Sequence, residues 1–249
     1  MTRWKASLIH LAISAIIASV VVALMLLVWY PHPIIAAVGG EQVLLILLGV
    51  DVTLGPFITL LIFKTKKSRR ELAFDLSVIS IIQVTALIYG MSVMFQARPV
   101  YVVFSKDSFD LVTAHMLRKE DIAKARYPDY RSLPLNGPVY VYTEMPSDIN
   151  ERNEVVMNAS SGKDLPQFPQ YYKPFAEHKA AAGKAAKPLA ELKKINPDRI
   201  AEIDGAIHAS GRSETDIGFL PLRAKYRSLV VLVGKSDGKV LAMLKMKPW

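Results

Sequence analysis

The chain has 249 residues, a formal net charge of +9 and a mean hydropathy of +0.25, with 51% of its residues apolar. Soluble chains of this length rarely average so hydrophobic, so the composition points to a membrane portion. There is no cysteine, which excludes a disulfide framework and any thiolate metal site.

The apolar excess lies at the front. Residues 1–97 hold seven Lys/Arg and four Asp/Glu, whereas residues 98–249 hold 24 and 18. Spanning a hydrocarbon core takes about 20 apolar residues in a helix. Three segments reach that length, at about 8–30, 43–63 and 74–95. Arg3 and Lys5 precede the first, and the basic run KTKKSRRE (64–71) separates the second from the third. The intervening segment 31–42 has no Lys or Arg. The positive-inside rule then puts the N-terminus and loop 64–71 in the cytoplasm and residues 98–249 across the membrane, which in a bacterium is the periplasm. A cleaved signal peptide is the competing reading of the first segment, but its apolar run is longer than an ordinary h-region. Trp29-Tyr30 before Pro31 reads as an interfacial belt and helix stop.

The second segment carries GVDVTLGP (49–56). Asp51 at mid-span costs roughly 2.5–3.5 kcal/mol for insertion, against about 0.3–0.6 kcal/mol returned by each Leu, Ile, Val or Phe. The segment still inserts, and Asp51 needs a partner or neutrality. Asp51, Gly55 and Thr59 fall on one helical stripe. Gly55 and Thr59 permit close backbone approach, and Pro56 removes an amide donor and kinks the helix. Ser7, His10, Ser14 and Ala18 give the first span a small, weakly polar face, and Ser77, Ser80, Gln83, Leu87 and Gly90 give the third another. Asp51 either bonds a neighbour such as Gln83 or Tyr89, or recognises the polar group of a partner helix. A proton relay through His10, Asp51 and Asp75 is disfavoured, because their positions suggest different depths.

Residues 98–249 predict one α+β domain with antiparallel hairpins. Strands are expected near 99–113, paired about a Lys106-Asp107-Ser108 turn, at 139–145, and in a closing hairpin about Lys235–Gly238. Helices are expected at 118–126, from a Ser147 or Asp148 cap to about Asn158, and in two short pieces between Pro188 and Gly211. The segment 164–175 is too rich in proline and aromatics for a repeating element. The Ala/Lys stretch 176–188 reads as an exposed helix or mobile connector with little to bury.

Catalytic signatures are weak. Ser160-Ser-Gly-Lys163 matches S-x-x-K, but its companion motifs are missing. The five histidines show no metal-binding spacing. No cofactor and no enzyme activity are expected. The positive charge is dispersed, so lipid headgroups are better neighbours than nucleic acid.

The blocks LGVDVTLGPFITLLIFK, FDLSVISIIQ, QARPVYVVF and LPLRAKYRSLVVLVGKSDGKVL together resemble the TfpX/TfpZ family of type IV pilin accessory proteins. That resemblance implies an inner-membrane, pilin-specific chaperone or assembly factor that stabilises a cognate major pilin and supports pilus biogenesis. It implies the cognate pilin as partner, with the assembly machinery and membrane lipids as further neighbours. Pilins of this type resemble single-span chains with a long apolar helix, so Asp51, Gly55, Pro56, Thr59 and Gln83 become candidates for a partner-helix groove. The alternative is a membrane-tethered envelope sensor acting through partner helices, for which the chain offers little cytoplasmic mass.

Overall fold

The computed structural model describes residues 2–62 and 68–249. Phe63, at the end of the second predicted span, and residues 64–67 of the basic loop lie outside the described residues.

Among the described residues, three helices are long and apolar enough to cross a membrane. The first runs Arg3–Trp29, its start capped by the Thr2 side chain, which accepts from the Lys5 amide. The second runs Gly40–Ile62 and follows Gly39, whose φ of 73° suits a residue without a Cβ. The third, Arg69–Ala97, opens with a reciprocal capping box between Ser68 and Glu71. Each begins three to five residues before the apolar count suggests, because caps rather than hydropathy set helix starts.

The expected break in the second helix takes a specific form. Residues Val50–Leu54 wind as a π-turn, and an α-helix resumes at Gly55. In a five-residue hydrogen-bond register, residue 56 would serve the carbonyl of residue 51. Pro56 has no N–H to give. That carbonyl is therefore left for another donor.

The remainder is α+β. Strands β1 (Pro99–Ser105), β2 (Ser108–Thr113), β3 (Val139–Tyr142), β4 (Lys173–Pro174), β5 (Lys187–Pro188), β6 (Ile217–Arg223), β7 (Leu229–Gly234) and β8 (Val240–Leu244) form one sheet. Its order is β4-β3-β1-β2-β6-β7-β8, with β5 also on β6. The two predicted hairpins, β1–β2 and β7–β8, are present and antiparallel. Two joins are parallel instead, β1 with β3 and β2 with β6, so the sheet is mixed rather than a chain of hairpins. Strand pairs formed at long sequence separation carry no turn signal to announce them.

The sheet curls. Val102 and Phe104 of β1, Phe109 and Leu111 of β2, Leu220 of β6 and Val231 of β7 share one buried cluster inside the curl. The Ala/Lys segment corrects its expectation here. It forms a helix, Phe175–Ala185, docked into that concave face with Phe175 and Ala182 buried. Small residues let its backbone come close: a Cβ on Gly183 would stand 2.5 Å from the Lys235 carbonyl oxygen. Contact by backbone proximity escapes a count of apolar side chains. Asp148 caps the helix Ile149–Ala159 as expected, and Gly211 closes Ile200–Ser210 in the left-handed region. Segment 164–175 is two short 3-10 turns before β4, with Phe168, Tyr171 and Tyr172 buried.

The segment between the first two spans is a plug. A short helix, Ile34–Ala37, is buried, and Ile34 and Ala37 belong to the curled sheet's own core. The Ala37 carbonyl accepts from the amides of Tyr226 and Arg227, each at 3.2 Å. Glu41 pairs with Lys245 at 2.9 Å. The α+β portion is thus seated on the helices. Tyr30, expected at an interface, is buried and donates its hydroxyl to the Met94 carbonyl.

Candidate partner-helix groove between the spans

The first and third spans both pack on the second. Between them runs a groove of about 280 Å³, with Asp51 and Thr59 in its floor, Ile13 and Ile17 on one wall, and Ser80 and Leu87 on the other. The predicted stripe faces inward: Asp51 is 9% exposed, Thr59 is 1% exposed, and Gly55 and Pro56 are buried. Burial follows from the small residues at 55 and 59, which let neighbouring backbones close on this face.

One chain of hydrogen bonds ties the three spans together at this level. Gln83 Nε2 donates to the backbone carbonyl of Asp51 at 3.2 Å, the carbonyl that Pro56 leaves free. That contact orients the amide, so Gln83 Oε1 faces His10 Nε2 at 2.7 Å. An amide oxygen only accepts, so His10 carries its proton on Nε2. His10 Nδ1 lies 2.6 Å from Thr59 Oγ1, whose hydroxyl donates to it in the neutral ring. Ser7 Oγ donates to the Pro56 carbonyl at 2.9 Å. Gly55 makes room for all of this, since a Cβ there would stand 2.0 Å from Gln83 Nε2.

The carboxylate of Asp51 stays outside this network. Its Oδ1 is buried and has no hydrogen-bond partner among the described residues. The predicted Gln83 contact exists, but it reaches the main chain and not the side chain. Tyr89, the other suggested neighbour, is 73% exposed on the outer face of its helix. An unpaired polar atom in an apolar setting costs free energy, so the groove is a place where an incoming donor would be stabilised.

Of the five residues named from the sequence, Asp51, Thr59 and Gln83 line the groove, whereas Gly55 and Pro56 are buried in the second helix beside it. Sequence reasoning missed His10 as the hub. The signal was available: His10, Ser14 and Ala18 repeat at i, i+4 and i+8, the same spacing as Asp51, Gly55 and Thr59. His10 and Asp51 also line one groove and so do not sit at unrelated depths.

The S-x-x-K match is spread over other contacts. Ser160 Oγ donates to the Met157 carbonyl, and Lys163 pairs with Asp121 at 2.8 Å. No group of three or more metal-ligating side chains occurs among the described residues.

Comparison with known proteins supplies the lineage. The model of the family described as fimbrial assembly protein FimB matches residues 1–39, which cover the first span and the buried plug. A fimbrial assembly protein of serogroup E1 from Dichelobacter nodosus is 31% identical over 219 residues, 88% of this chain and 85% of that protein. Its serogroup I counterpart from the same organism shows 31% identity over the same shares. The protein of serogroups C1 and C2, also from Dichelobacter nodosus, is 34% identical over 121 residues, 49% of this chain and 92% of its own length. No solved structure matches. The shared identity along most of both chains places this protein in the family of fimbrial assembly proteins.

Proposed function

We propose that this chain is an inner-membrane factor of fimbrial assembly, of the TfpX/TfpZ pilin-accessory type, that holds the transmembrane helix of its cognate major pilin until the pilus takes it up. The names of its relatives support a part in fimbrial assembly. The observation that carries the finer reading is the open groove with a buried, unpartnered carboxylate oxygen in its floor. A passing helix with a hydrogen-bond donor at that depth would satisfy Asp51, and the flanking isoleucines would pack against its apolar side chains. Asp51, Gly55, Pro56, Thr59 and Gln83 shape the site, and His10 braces it. The role is one of binding, without catalysis.

The topology in this proposal is N-terminus in the cytoplasm, three crossings, and the α+β domain in the periplasm. Arg3, Lys5 and the basic run 64–71 favour it. So does the plug, because a segment buried in the α+β core must lie on that core's side of the bilayer.

Two measurements test the reading. A photocrosslinker at Ile13 or Ser80 should capture the pilin helix in living cells, and capture of lipid or of this chain alone would refute the groove. Deleting the gene should lower both the pilin level and the number of surface pili, and unchanged pili would refute the role in assembly.

A further inference from the structure

A second cleft, of about 660 Å³, lies where the α+β domain meets the start of the second span. Arg199, Arg227, Ser228, Lys245, Lys247 and Trp249 line it, and Asp198 is the one acid among the lining residues. Two contacts fix its position. The Arg227 amide donates to the Ala37 carbonyl at 3.2 Å, and Lys245 Nζ pairs with Glu41 at 2.9 Å. Glu41 is the second residue of the second span, so in the proposed topology the cleft stands at the level of the lipid headgroups. Tyr226 shares that level, since its hydroxyl accepts from Gln42 Nε2 at 2.9 Å. Tyr226 and Trp249 are both exposed, the placing that amphipathic rings favour at a membrane surface.

The wall of the cleft is held in place. Asn196, which is buried, donates to the Lys247 carbonyl at 2.8 Å and accepts from the Lys247 amide at 3.1 Å. Arg199 donates to the Lys245 carbonyl. Met246, between the two lysines, is anchored in a buried cluster. Two of the four bases are already answered, Arg199 by Glu202 and Lys245 by Glu41. The side chains of Arg227 and Lys247 have no ion-pair or hydrogen-bond partner among the described residues. Fixed, adjacent and unanswered cations suit an anion.

The helix below indicates which anion. Leu45 lies one turn past Glu41 on the same face of the second span and is exposed. A ligand whose charged group meets Arg227 and Lys247 therefore has an apolar helix face directly beneath it. A free phosphate gains nothing from that face, whereas the acyl chain of a bilayer lipid lies along it. We propose that the cleft binds the phosphodiester headgroup of an anionic phospholipid, with Arg227 as a forked donor, Lys247 as a point charge and Ser228 as a hydroxyl donor. This rests on the second span crossing the bilayer, and not on what fills the groove.

The test uses the full chain in a neutral detergent, titrated with phosphatidylglycerol, phosphatidylcholine or glycerol phosphate, with bound molecules counted by native mass spectrometry. The expected result is one phosphatidylglycerol retained in preference to phosphatidylcholine and not displaced by glycerol phosphate. Lys247→Gln should weaken retention roughly five-fold, the worth of one base near an anionic membrane surface, and Arg227→Ala with Lys247→Ala roughly thirty-fold. Both side chains are exposed, so melting in lipid-free detergent should match the parent. Lys119→Ala with Lys124→Ala, at exposed lysines outside the cleft, should leave retention unchanged. Equal retention of the two lipids, or an equal loss from the Lys119 and Lys124 pair, would mean diffuse charge and overturn the site. Displacement by glycerol phosphate would overturn the lipid in favour of a soluble phosphate. Glycosylation mapping reports the topology separately. A second span that does not cross removes topology and site together, whereas a crossing span without the lipid preference removes the site alone.

Discussion

Gln83 reaches across to the second span and bonds the carbonyl of Asp51, yet the buried Oδ1 of the same residue has no hydrogen-bond partner among the described residues. The main chain is repaired where Pro56 breaks it, and the side chain is not. A purely structural aspartate would be expected to take the amide for itself. This division is the observation on which the proposed binding role of Asp51 rests.

Replacing Asp51 separates folding from function. Asp51→Leu removes an insertion cost of roughly 2.5–3.5 kcal/mol and adds a favourable increment of about 0.3–0.6 kcal/mol. The variant should insert at least as well as the parent, read by glycosylation mapping of the second span. Surface pili should fall sharply. Normal piliation in Asp51→Leu would show the carboxylate to be dispensable.

Gly55 guards the network. A methyl group there would stand 2.0 Å from Gln83 Nε2, so Gly55→Ala must swing the amide away from both Asp51 and His10. Interhelical hydrogen bonds in membranes are worth about 0.6 kcal/mol each on average. Gly55→Ala and Gln83→Leu should therefore destabilise the helical bundle by about 1 kcal/mol each. Their combination should not add, because they act on the same contacts. Unfolding in bicelles measures all three, and full additivity would contradict the shared mechanism.

The plug couples the helices to the α+β portion. Ile34 is 4% exposed inside the sheet's core, so Ile34→Ala should cost about 2–5 kcal/mol through lost burial and an unfilled cavity. Limited proteolysis should then cut within residues 33–37, which are buried in the parent. A cleavage pattern identical to the parent's would argue against the plug.

Acid should loosen the closing hairpin by way of Arg212. Its guanidinium bonds the Asp237 carboxylate at 2.7 and 3.1 Å. With the Lys239 amide also donating to it, Asp237 is held down to about 2. A carboxyl depressed in the folded state binds fewer protons than in the unfolded chain between the two values. The stabilisation is thus present above pH 4 and is lost as pH falls toward 2. Thermal melts of the detergent-solubilised chain across that interval should shift downward, and Asp237→Asn should shrink the shift. An Asp237→Asn chain with the full acid response would place the titrating group elsewhere.

Much of this was legible from residue order. Apolar length gave three helices, the KSDG and SKDS turns gave two hairpins, and the Asp51, Gly55 and Thr59 spacing gave one face of the groove. Each is local, set by a period or a turn within a few residues. The weakly polar face that carries His10 was legible in spacing, but its bonds to Thr59 and Gln83, 49 and 73 residues away, were not.

What residue order alone determined is which segments are helix or strand and which face of the second span is small and polar. Tertiary structure decided the rest: that residues 34–37 belong to the core of a sheet built mostly from residues beyond 98, that an Ala/Lys helix docks through its backbone, and that the sheet curls without closing. These depend on contacts between residues 52 to 204 positions apart, whose closure entropy leaves no periodic trace in the sequence. That Asp51 Oδ1 is buried with no hydrogen-bond partner among the described residues was likewise decided by the fold.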